Sequence, residues 1–183
     1  MIGVTGLQRS GTSLMMQTLK LLGLSVVGYE YHEQFSNVEL NPRGYYDLPI
    51  EDTIGGVWIN SWEKDVIKLY PAVLNISNFD LIKKLIVCKR NKDDVLKSTL
   101  KLLELEEVVI KPTVKNAENS ITLGNMILNS VISKFKNPVL FVNYEDMIDI
   151  TETTIQEICD FLELDINTNK ACENIIRKEL ICQ

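Results

Sequence analysis

Gly6-Leu7-Gln8-Arg9-Ser10-Gly11-Thr12-Ser13 lies between a short apolar run, Met1-Ile2-Gly3-Val4-Thr5, and a periodic stretch from Leu14 to Leu22 that Gly23 closes. The first run reads as a strand. The second, with Leu14, Met15, Thr18, Leu19 and Leu22 at three- and four-residue spacing, reads as a helix with one buried face. Strand, glycine-bounded loop and helix make the layout of a phosphate-binding P-loop. Its glycines let several backbone N–H groups and a helix N-terminus face one anion.

Working outward, Leu24 to Gly28 reads as a second strand, and periodicity then fails from Tyr29 to Pro49. A loop of that length within a compact domain is usually functional or disordered. Ile50 to Leu74 reads as helix in pieces, interrupted by Gly55-Gly56 and ended near Pro71. Trp58 and Trp62 sit one turn apart within it and read as core. Leu85-Ile86-Val87-Cys88-Lys89 is an apolar run ending in charge, as a buried parallel strand does. Asn91 then caps a helix to about Leu105, with Leu96, Leu100 and Leu103 inward. Val108-Val109-Ile110 is a β-rich piece stopped by Pro112, and Asn119 to Phe135 is amphipathic helix. Val139 to Val142 is the last clear buried strand. Thr154-Ile155-Gln156-Glu157 has capping-box spacing and opens a helix through Leu162, and a final helix spans about Thr168 to Leu180. Strands alternating with helices predict one α/β domain over residues 1–183, a three-layer P-loop NTPase-like fold with a mainly parallel central sheet flanked by helices.

The loop departs from the nucleotide-triphosphatase pattern at one position. Thr12 stands where that pattern has lysine, and the fixed cation comes earlier, at Arg9. Gln-Arg-Ser-Gly-Thr-Ser-Leu resembles the 5′-phosphosulfate loop of sulfotransferases that use 3′-phosphoadenosine 5′-phosphosulfate (PAPS). Arg90, at a strand end, followed by Ser98 in the next helix resembles that family's 3′-phosphate site. The chemistry suits the residues, because a guanidinium forks onto phosphate oxygens and a hydroxyl adds a hydrogen bond. Asn41-Pro42-Arg43-Gly44-Tyr45-Tyr46-Asp47 is similar in order and spacing to a segment of a bacterial and viral subset of such proteins. Val139 to Asp146, followed by a helix ending Phe161-Leu162, resembles a third family feature. These similarities run in order over roughly residues 1 to 165. The C-terminal glycine- and basic-rich PAPS loop of the cytosolic enzymes is not visible.

The resemblance implies in-line transfer of a sulfuryl group from PAPS to an acceptor hydroxyl or amine, releasing adenosine 3′,5′-bisphosphate. It places Gly6, Gln8, Arg9, Ser10, Gly11, Thr12, Ser13, Arg90, Ser98 and Tyr144 at the nucleotide. Arg9 would stabilise the leaving oxygen, and Tyr144 would lie near the adenine. The general base is one of three: His32, the only histidine, Glu33 beside it, or Asp47. No cluster has metal-ligand spacing, and the chemistry needs no metal. The acceptor would be a small molecule or glycan. Two alternatives stay open: a small-molecule kinase, disfavoured by the missing P-loop lysine, and a non-catalytic domain that binds PAPS or its bisphosphate product.

Composition narrows the partners. The chain has 183 residues, 45% apolar content and a net charge of −6, which argues against a general nucleic-acid binder. No apolar run approaches the ~20 residues of a membrane span. No signal-like segment precedes the first strand. The four cysteines, Cys88, Cys159, Cys172 and Cys182, are scattered, as in reduced proteins. The expectation is a cytoplasmic enzyme.

Overall fold

The computed structural model describes residues 1–30, 41, 44–48, 66–76, 79–105 and 113–166. Ile2–Gly6 forms β1 and Thr12–Leu21 forms α1. They are followed by β2 (Val66–Lys68), α2 (Pro71–Ile76), a 3₁₀ turn (Phe79–Leu81) and β3 (Lys84–Lys89). The order continues with α3 (Lys92–Leu105), α4 (Val114–Lys134), β4 (Val139–Asn143), α5 (Tyr144–Asp149) and α6 (Thr151–Leu162). The sheet order is β2-β1-β3-β4, with every neighbour parallel. The expected α/β class with helices on both faces of a parallel sheet is therefore present.

Alternation along the strands sends side chains to two cores. On one face Val4, Val66, Ile86 and Val142 meet Met15, Met16 and Leu19 of α1 and Ile155, Ile158 and Cys159 of α6. On the other Ile67, Leu85 and Val87 meet Leu74 of α2 and Leu128, Val131 and Phe135 around α4. Leu85, Ile86 and Val87 are wholly buried, as the continuous apolar run requires of a strand covered on both faces. At the start of α3 Asn91 acts as read, its Oδ1 accepting from the Asp93 N–H at 2.9 Å.

Several expectations are corrected. Leu24 to Gly28 contributes only an isolated bridge, Val26 to Val66, and the strand next to β1 is Val66–Lys68, inside the stretch expected to be helical. Pro71 opens a helix rather than ending one, which suits a residue whose missing N–H is an orphan in a first turn anyway. The helix α4 starts five residues before Asn119, where the Thr113 side chain accepts from Asn116 N. The capping box at Thr154 does not form, because α6 already begins at Thr151. Thr154 is instead buried, its hydroxyl donating to the carbonyls of Asp146 and Ile150 at 3.1 Å each. In α3 the deeply buried positions are Val95 and Leu102, with Leu96, Leu100 and Leu103 half-buried. The expected Val108–Ile110 piece, the C-terminal helix, Trp58, Trp62, Cys172 and Cys182 lie outside the described residues. Cys88 and Cys159 are buried.

Candidate functional site

The loop after β1 turns tightly. Ser10 N and Ser10 Oγ both donate to the Leu7 carbonyl, at 3.1 and 2.7 Å. Arg9 (φ 68°) and Gly11 (φ 94°) are left-handed. Gly11 precedes α1 and offers no side-chain cap. The first intrahelical bond is Met15 N to the Gly11 carbonyl, so the preceding N–H groups of the first turn have no intrahelical acceptor. With the N-terminal end of the helix dipole they make an anion-binding concavity. A Cβ on Gly6 would lie 2.6 Å from the Cys88 carbonyl, and one on Gly11 would lie 2.7 Å from the Tyr144 ring. Both glycines are thus required by close approach.

Most of the residues expected at a nucleotide come together here. Arg9 Nε donates to Ser98 Oγ at 2.9 Å, across 89 residues of sequence. One Arg90 terminal nitrogen donates to the Arg9 carbonyl at 3.2 Å, and its guanidinium lies over the Tyr144 ring at 4.1 Å. Arg90 Nε is buried without a hydrogen-bond partner. A buried orphan donor on a guanidinium is costly, and an oxyanion beside it would satisfy it. Asn91 N donates to Glu145 Oε1 at 3.1 Å, tying the β3–α3 turn to α5. Gln8 is exposed on the loop, and Thr12 and Ser13 are the first two residues of α1. A cavity of about 470 Å³ between α4 and the β3–β4 edge reaches the loop at Ser10 and Arg90, with Asn125, Asn129 and Phe141 among its lining.

A second cluster lies on the β2 side of the loop, around Lys68, a residue the sequence reading passed over. Lys68 ends β2 on the α1 face of the sheet, its side chain 5% exposed. Its Nζ is 2.6 Å from Asp47 Oδ1 and 3.3 Å from Ser13 Oγ, and it also donates to the Tyr45 carbonyl. Asp47 Oδ1 additionally accepts from the Tyr70 hydroxyl at 2.8 Å. Burial drives the Lys68 ammonium below its ordinary range, against the opposing pull of Asp47. Burial first, then Asp47, holds the Tyr70 phenol above its range. Burial pushes the Cys88 thiol up to about 12. A signal for Lys68 was present: Val66-Ile67-Lys68 is a short apolar run ending in a cation, as is the strand that leads into Arg90.

Asp47 reaches Lys68 because the ends of the 31–40 stretch are clamped. Tyr29 N donates to the Asp47 carbonyl at 3.2 Å and Tyr45 N to the Glu30 carbonyl at 2.8 Å. Gly28, at φ 109°, lies so close to the Tyr46 carbonyl that a Cβ would stand 2.4 Å away. Buried Gln17 of α1 donates to Asn41 Oδ1 at 3.0 Å and to the Gly44 carbonyl at 2.8 Å. Asn41 and Gly44 of the Asn-Pro-Arg-Gly segment are thereby fixed to the helix that opens at the P-loop. His32 and Glu33 lie outside the described residues. Among the described residues no group of three or more His, Cys, Asp or Glu side chains is arranged to hold a metal, and no helix is long and apolar enough to cross a membrane.

Comparison with known proteins bears on this arrangement. A search of curated proteins gave no match. Among solved structures, mouse sulfotransferase SULT7A1 complexed with PAP is similar, with a TM-score of 0.60 and 17% identity over 97% of this chain. The match covers 64% of that protein, so this chain spans less than two thirds of its length. At that identity the likeness speaks for the fold. The sulfotransferase domain model matches residues 2–180, nearly the whole sequence. The chain therefore belongs to the sulfotransferase domain family.

Proposed function

We propose that this chain moves a sulfuryl group from PAPS to an acceptor hydroxyl or amine and releases adenosine 3′,5′-bisphosphate. The observation that carries the reading is the convergence of Arg9, Ser98 and Arg90 on a loop whose helix N-terminus is uncapped. The donor supplies an activated sulfuryl group on a phosphate leaving group. The chain's residues bind and orient it. Loop N–H groups with the Thr12 and Ser13 hydroxyls hold the 5′-phosphate, Arg90 and Ser98 hold the 3′-phosphate, and Tyr144 lies toward the adenine. Arg9 stabilises negative charge on the bridging oxygen as the S–O bond breaks. Lys68, beside Ser13, supplies a second cation for the sulfuryl oxygens.

His32 and Glu33 follow Glu30 by two and three residues, and Glu30 is held to Tyr45; we assign the acceptor's general base to one of these two. Asp47 Oδ1 already accepts from Lys68 and Tyr70. The acceptor belongs to the small molecules or glycans, and the setting is cytoplasmic.

A thermal-shift titration with adenosine 3′,5′-bisphosphate, compared with ATP–Mg²⁺, tests the reading. A ligand of the folded state adds about 2.7 kcal/mol at a hundredfold excess over its Kd. Stabilisation by the bisphosphate, lost in Arg90→Ala, supports it. Stabilisation by ATP–Mg²⁺ alone refutes it in favour of a kinase.

A further inference from the structure

We propose that Asp47 is the positioning residue that keeps Lys68 a cation, holding its ammonium in place and in charge beside Ser13 so that the site can take an anionic sulfuryl group. The functional half of this inference rests on the sulfotransferase reading above. The electrostatic half stands without it, on the buried contact between Lys68 and Asp47.

Lys68 is sealed beneath the start of α1. From α1 comes the Ser13 hydroxyl, and from the clamped segment comes the Tyr45 carbonyl; both are neutral acceptors. From the P-loop Arg9 repels it. From β3 the Cys88 thiol faces it, and a thiol pushed up to about 12 is neutral at physiological pH. From beyond β2 the Tyr70 phenol faces Asp47 and stays protonated. Among these groups the Asp47 carboxylate, 2.6 Å from Nζ, supplies the one negative charge. A buried amine without a counter-charge sheds its proton rather than remain ionised in a low dielectric. Tyr70 steadies the carboxylate from the far side, on the same Oδ1 that faces Lys68.

The consequence is specific. Remove the charge of Asp47 with its shape kept, and Lys68 becomes a neutral amine within the physiological range. An uncharged amine beside Ser13 offers a sulfuryl oxygen only a weak neutral hydrogen bond. Proton uptake would then have to accompany donor binding, so binding would weaken as pH rises.

The experiment is a ¹³Cε-lysine NMR titration of the full chain from pH 5.5 to 9.5, with the Lys68 resonance assigned by its loss in Lys68→Arg. In Asp47→Asn the Lys68 midpoint is expected to fall by about one pH unit or more relative to wild type. Tyr70→Phe, which leaves both charges but loosens Asp47, should move it the same way by less. Equal midpoints in wild type and in both variants overturn the proposal. Calorimetric titration with PAPS then reads the function. Between pH 7 and 8, where the donor's 3′-phosphate is already ionised, wild-type affinity should be flat. In Asp47→Asn it should fall about tenfold per pH unit above the new midpoint. The double variant Asp47→Asn/Lys68→Arg should be flat again, because a guanidinium keeps its proton. A pH-independent Asp47→Asn also overturns the proposal. If wild type binds neither PAPS nor adenosine 3′,5′-bisphosphate, the nucleotide reading fails, while the NMR midpoints still decide whether Asp47 holds the charge on Lys68.

Discussion

Gly6→Ala is the sharpest single perturbation of the P-loop. The added Cβ would stand 2.4 Å from Ser10 Oγ and 2.6 Å from the Cys88 carbonyl oxygen. Carbon-to-carbonyl-oxygen contacts rarely close below about 3.3 Å, so something must give by about 0.7 Å. β3 cannot easily retreat. It pairs with β1 on one side and β4 on the other, and its Leu85, Ile86 and Val87 are wholly buried between two helix layers. The loop yields instead, and Ser10 leaves the Leu7 carbonyl it binds at 2.7 Å. Overpacking costs about 1–3 kcal/mol and the lost hydrogen bond about 1 kcal/mol. A total of about 2–4 kcal/mol lowers Tm by about 5–15 °C in a chain of this size.

The displaced loop N–H groups should also cost at least about tenfold in affinity for adenosine 3′,5′-bisphosphate, one or more of their charge-assisted bonds being misaligned. Gly23→Ala is the control. It too has a positive φ, 89°, yet nothing lies within 4 Å of its Cβ position. It should lose only about 1–2 kcal/mol of backbone strain and leave affinity unchanged. Calorimetric melting and isothermal titration of both variants suffice. A Gly6→Ala protein that melts within about 2 °C of wild type and binds the bisphosphate equally well would refute the reasoning.

Arg90→Ala should cost no more than about 1–2 kcal/mol of stability, because Nε has no protein partner and what is lost is one 3.2 Å bond to the Arg9 carbonyl and the contact with the Tyr144 ring; yet it should weaken bisphosphate binding by about 10- to 100-fold, read by calorimetry. Lys68→Met leaves Asp47 buried without its counter-ion and should destabilise by about 3–5 kcal/mol in urea unfolding, most of which the double variant Lys68→Met/Asp47→Leu recovers. The Cys88 thiol, held at about 12 by burial, should escape iodoacetamide at pH 8 in the native protein and react once the chain is denatured, as peptide mass spectrometry would show.

How far the sequence disclosed this site depended on how much local geometry each feature demanded. Gly6 and Gly11 were legible because a Cβ at either would strike Cys88 or Tyr144, so the loop's spacing is fixed by sterics. A long apolar strand announces its own end and a capped helix follows, which placed Arg90 and Ser98 in the fold; only the family resemblance suggested a phosphate between them. β2 was hidden. Three residues, Val66 to Lys68, are too few to show alternation, and the glycines and proline around them read as a broken helix. The strand exists because Ile2, Gly3 and Val4 of β1 present an open ladder to it, which is a tertiary cause with no local trace. Thr154 was misread for the converse reason: four residues had the spacing of a cap, but the Asp146 carbonyl had already claimed the hydroxyl.

The two cations that flank the loop have one origin. β2 and β3 both pair with β1 in parallel, so both deliver their C-terminal ends to the loop that follows β1, where ligands of open parallel sheets bind. Register sets how they differ. Cys88 lies opposite Gly6, and Arg90, two residues further, emerges at the rim of the sheet, half-exposed. Lys68 lies opposite Val4, two residues short of the loop, and so is sealed beneath α1. An arginine suits the rim, where a fork can meet a phosphate and no counter-ion is required. A lysine sealed below needs a carboxylate. The clamp between residues 28–30 and 45–47 brings Asp47 to it from a segment that no strand supplies. The long region between α1 and β2 thus does more than connect them: it carries the charge that makes the second cation usable.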